Sequence, residues 1–154
     1  MAIIEPQFPT GYEKEHRYQF SAKSPAGPHV VLSGATVISG ALGKKDEFFT
    51  EYDVRIVVGP WWSHIASVVP FVTIAAFHND DWDEVNQAGW AVSKLVWDTI
   101  GGPNSPAPDE ERIRLKFTLS VKGVGSSVYR IAYQLTARGR RLGIGGLNSP
   151  GPIH

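Results

Sequence analysis

The densest group of chemistry-bearing side chains is His78-Asn79-Asp80-Asp81-Trp82-Asp83-Glu84. Four carboxylates and an imidazole within seven residues offer oxygen ligands for a divalent cation, or an acid and base pair. His78, Asp81 and Asp83 are therefore candidate ligand-binding residues. The spacing departs from a calcium loop, because Val85 and Asn86 stand where that pattern wants a ligand and a glycine. A solvated loop or the acidic first turn of a helix is the simpler reading, so no metal site is assigned.

A second group, Trp61-Trp62-Ser63-His64, follows Gly59-Pro60 and places two large aromatics at a turn. Aromatic faces there can stack on sugars or apolar ligands, and tryptophan also anchors subunit contacts. Trp61, Trp62 and His64 join the candidate ligand-binding residues, although strand alternation points the two rings opposite ways and expects one of them in the core.

The third feature is charge. Fifteen basic and fifteen acidic side chains cancel, yet the stretch from Arg112 to Arg141 holds eight cations and no acid. Arg112, Arg114 and Lys116 share one strand face, which suits an anion or a nucleic acid. Acids on a neighbouring strand, such as Glu51 and Asp53, would neutralise that face instead. The second reading is preferred, because no outward aromatics for base stacking interleave with the cations, and no nucleic-acid partner is expected.

Other chemistry finds little support. Without cysteine there is no disulfide framework, thiolate nucleophile or sulfur-type zinc site. Gly43-Lys44 lacks the first glycine and the Ser/Thr of a phosphate loop, and no serine lies in a Gly-x-Ser-x-Gly frame. His16, His29, His64 and His78 fit no local metal spacing, and no cofactor is expected.

The elements that must position these residues are mainly strands. A chain of 154 residues suits one domain with a full core, read here as 1–154 with an extended arm at 1–12 and a Gly/Pro-rich tail at 139–154. Ile113, Leu115, Phe117, Leu119 and Val121 alternate with polar neighbours, as do Tyr129, Ile131, Tyr133 and Leu135. The short link Gly123-Val124-Gly125 predicts that these two strands pair as an antiparallel hairpin. Further strands are expected at 17–22, 29–39, 51–58 and 64–77, with Pro70 marking a bulge or an edge. Residues 80–100 fit a helix by the spacing of Trp82, Val85, Gly89, Val92, Val96 and Ile100, and a strand by composition. The expected fold is mainly β, an antiparallel β-sandwich with a small β-barrel as the alternative and one helix near 80–100 left open.

The start Met1-Ala2-Ile3-Ile4-Glu5-Pro6 lacks the basic and long apolar parts of a secretory signal, and no apolar run is long enough for a membrane span. A cytoplasmic location is expected. The leading functional reading is a non-catalytic binding or assembly module acting as a homo-oligomer, with the arms as the contact. Two alternatives stand beside it. One is a barrel that binds a small apolar molecule, or acts on it as an enzyme, lined by Trp90, Trp97, Tyr129 and Tyr133. The other is glycan recognition through Trp61, Trp62 and the acidic loop.

Overall fold

A computed structural model describes residues 2–4, 18–24, 27–79, 88–101 and 110–141. Seven strands account for nearly all of them: β1 (Ala2–Ile4), β2 (Tyr18–Ser24), β3 (Gly27–Leu42), β4 (Thr50–Asn79), β5 (Gly89–Gly101), β6 (Glu111–Lys122) and β7 (Ser126–Arg141). They form one sheet in the order β2-β3-β7-β4-β6-β5, all neighbours antiparallel, while β1 adds to β4 in parallel. The fold is a mainly β, curled half-barrel.

The curl follows from β4. A straight strand of 30 residues would span about 100 Å. Here Thr50 pairs with Val121 and Asn79 with Ser126, and those partners lie five residues apart in the chain. Strand β4 must therefore bend back on itself. Its first half pairs with β6 and its second half with β7, and the bend falls at Gly59-Pro60, where the β4–β6 register shifts between Val58 and Trp62. The two runs expected as separate strands at 51–58 and 64–77 are thus one bent strand. A bulge supplies the extra residues and the sharper twist that such a bend requires.

The inner faces of both halves share one core. Val54, Ile56 and Val58 of β4 meet Ile113, Leu115, Leu119 and Val121 of β6 there, with Ile131, Leu135 and Ala137 of β7. These are the alternating positions of each strand, as period-2 patterning requires.

One further expectation changes, and one open choice is resolved. Strands β6 and β7 form no hairpin ladder, since each pairs with β4 instead. The turn at 123–125, with Gly123 at φ 103° and Gly125 at φ 81°, carries the chain from one half of the sheet to the other. Alternation plus a glycine-rich link cannot distinguish that arch from a hairpin. The segment left open between helix and strand is a strand from Gly89 to Gly101, and residues 80–87 lie outside the described residues. A bulge interrupts this strand: Ser93 pairs with Thr118 and Val96 with Lys116, so one extra residue is inserted, with Lys94 at φ 55°. Val92 and Leu95, three apart, consequently both pack on the core.

Of the two arms, Ala2–Ile4 is described as β1 beside Tyr52–Val54, and 139–141 is the end of β7. The remainder of the arms lies outside the described residues.

Candidate functional site

The bend of β4 is held from β6. Arg112, buried although charged, donates from Nε and Nη2 to the Gly59 carbonyl at 3.1 and 2.9 Å. Its guanidinium lies 5.6 Å from the centre of the Trp61 ring, which packs against Gly101. The neighbouring Glu111 accepts the Ile65 amide at 3.0 Å, and Ser63 donates to the Arg140 carbonyl at 2.9 Å. A bulged strand frees backbone groups that must find partners, and these side chains supply them. Trp62 points the other way and is fully buried in the core.

Several charged side chains meet on the outer face of β4, β6 and β5. Arg114 grips Asp98 of β5 with two bonds, 2.8 and 2.6 Å, and Lys116 reaches the same carboxylate at 3.1 Å. The Arg114 guanidinium, with Lys116 assisting, holds the Asp98 carboxyl below its ordinary value against a smaller upward push from burial. The acid that neutralises the basic strand is therefore Asp98. Asp53 turns to Arg55 on its own strand at 2.9 Å, and Glu51 lies opposite Ser120. Arg55 itself stands directly opposite Lys116, and its Nε is enclosed without an acceptor.

The second half of β4 presents a different surface. Its β7 side is paired from Trp62 to Asn79, whereas among the described residues no strand pairs with its other side beyond Trp62. The register is regular from Ser67 to Ile74, which leaves an open edge of eight residues. Pro70 lies in this run opposite Leu135. Having no N–H, it fits where its nitrogen faces the open side, so the amides of Val68, Val72 and Ile74 share that direction. On the outer face beside the edge, Val69 and Phe71 are 71% and 62% exposed. A further apolar group at the loop end, Phe48, Phe49 and Val124, is interspersed with Lys44, Lys45, Asp46 and Glu47, as solvent-facing loops are.

Among the described residues, those singled out from sequence do not converge. Trp61 and Trp62 flank the bend on opposite faces, and His64 is exposed opposite Arg140. His78 is exposed fourteen residues further along β4, opposite Ser127. Asp81 and Asp83 lie outside the described residues. No group of three or more metal-binding side chains occurs among the described residues. Of the aromatics expected to line an interior, Tyr133 is in the core and Trp97 packs against it, while Trp90 and Tyr129 are exposed. Sequence reasoning missed Asp98 and Glu111; for the open edge it had one signal, Pro70, read as a bulge or an edge.

No protein-family model matches the chain, and comparison with curated proteins and with solved structures finds no similar protein.

Proposed function

We propose that the protein is a non-catalytic assembly module that acts as a homo-oligomer, its copies joining antiparallel along residues 67–74 of β4. The observation that carries this reading is the open edge flanked by exposed Val69 and Phe71. Monomeric proteins blunt such edges with charge or proline; Ile65 to Phe77 holds Pro70 but no charged residue. An identical uncharged strand therefore meets no repulsion there. A two-fold axis at Phe71 sets each Phe71 beside its mate and lets Val68, Val72 and Ile74 of both copies make about six interchain hydrogen bonds. Pro70 withdraws one donor per copy from that shared ladder. Within this reading the two halves of the sheet act as the layers of a β-sandwich.

Native mass spectrometry and sedimentation of the purified protein test the proposal. The expected species is a dimer of 16.9 kDa chains without added mass. A monomer, or a monomer carrying a small apolar molecule or a glycan, overturns it.

A further inference from the structure

We infer that the outer face of β4 and β6 binds an oxyanion, a phosphate or a carboxylate, at Arg55 and Lys116. The two residues are direct cross-strand partners, which places their Cβ atoms about 5 Å apart and makes them repel. Each is drawn toward an acid on a different side, Arg55 to Asp53 and Lys116 to Asp98, and neither acid joins the two cations. An anion between them does.

Three further observations point to the same place. Lys116 has three donors and one carboxylate partner. The Thr118 hydroxyl lies on the same face, next along β6, and is nearly buried. Arg55 and Lys116 are each about one third exposed, 33% and 34%, so an anion reaches them from solvent yet is screened less than on an open surface.

The face as a whole favours negative charge. Arg55, Arg112, Arg114, Lys116 and Lys122 stand against Glu51, Asp53 and Asp98, five cations to three acids. Asp53 and Asp98 bound the positive patch on both sides. That suits a single oxyanion and opposes a polynucleotide backbone, which would set its phosphates against those acids. The guanidinium fork of Arg55 matches a planar or tetrahedral oxyanion. This site is independent of the β4 edge and of how copies associate.

The test is titration of the intact protein with inorganic phosphate, and separately with acetate, at constant ionic strength. Arginine Nε–H resonances are the readout. Saturable shifts centred on Arg55 are expected with one of the two anions, and which one binds distinguishes phosphate from carboxylate ligands. Arg55→Gln and Lys116→Met should each weaken binding at least tenfold. Asp53→Asn, which leaves both cations and removes a competing acid, should tighten it several-fold. Shifts that do not saturate, that persist in Arg55→Gln, or that do not strengthen in Asp53→Asn mean an adventitious ion only and overturn the inference.

Discussion

Replacing Phe71 with lysine gives the most direct measure of the assembly surface. Phe71 exposes 62% of its area. Taken against roughly 200 Å² for a phenylalanine side chain, that is about 120 Å². If contact with its mate covers half of this on each of two copies, about 120 Å² leaves water. At about 25 cal/mol per Å² the loss is about 3 kcal/mol per dimer. With 1.4 kcal/mol per tenfold, the dissociation constant rises on the order of 100-fold, before the two new ammonium groups repel each other across the axis. Sedimentation velocity over a dilution series reads this shift. Because Phe71 lies on the surface, the unfolding midpoint of the monomer should not fall. Val96→Lys, at an exposed apolar position on β5, is the control and should leave association unchanged. An unchanged constant in Phe71→Lys, or an equal loss in Val96→Lys, refutes the reasoning.

Arg112→Met should cost about 2 kcal/mol, because the Gly59 carbonyl loses two charge-assisted bonds, partly offset by relief of a buried charge. In urea that moves the midpoint by about 1 M, with Arg112→Lys falling between; no shift means the bend does not depend on the guanidinium. Asp98 has a pKa held below its unfolded value of 3.8, so its stabilisation is complete above about pH 4 and is lost as pH falls through the folded value. Asp98→Asn should therefore lie below wild type at neutral pH and converge with it in acid, and parallel curves would contradict the assignment. Gly139→Ala places a Cβ against the His64 carbonyl oxygen, where backbone must move. A loss of about 2 kcal/mol or more in urea unfolding is expected, and a neutral change would show that the β4–β7 ladder adapts at that point.

The strands were legible in the sequence because burial on one face writes a period of two, and β6 shows this from Ile113 to Val121 with every inner residue buried. Their connections were not. Gly59-Pro60 reads as a turn because some turns and some bulges alike use a glycine with positive φ, and Gly59 sits at φ 77° inside a continuous strand. What separates the two outcomes is distant in sequence: Glu111 and Arg112 supply the partners for the backbone that the bulge exposes. The β5 bulge likewise breaks the period of two, bringing Val92 and Leu95, three apart, onto the core, while Val96 of the helical pattern stays exposed.

The surface was harder to read for a related reason. Charge pairing depends on strand order, and Asp98 neutralises Arg114 only because β5 lies beside β6. Glu51 and Asp53 also lie beside β6, but in a register that sets them opposite Ser120 and Thr118. The same logic governs the edge. The run from Ile65 to Phe77 reads as a central strand, apolar on both faces, and a central strand needs no charge to protect it. Strand β4 spends its β6 side on the first half alone, so the second half keeps the composition of a central strand while its outer side carries no partner among the described residues. A strand composed for two neighbours and given one is the physical case for a second copy as the other.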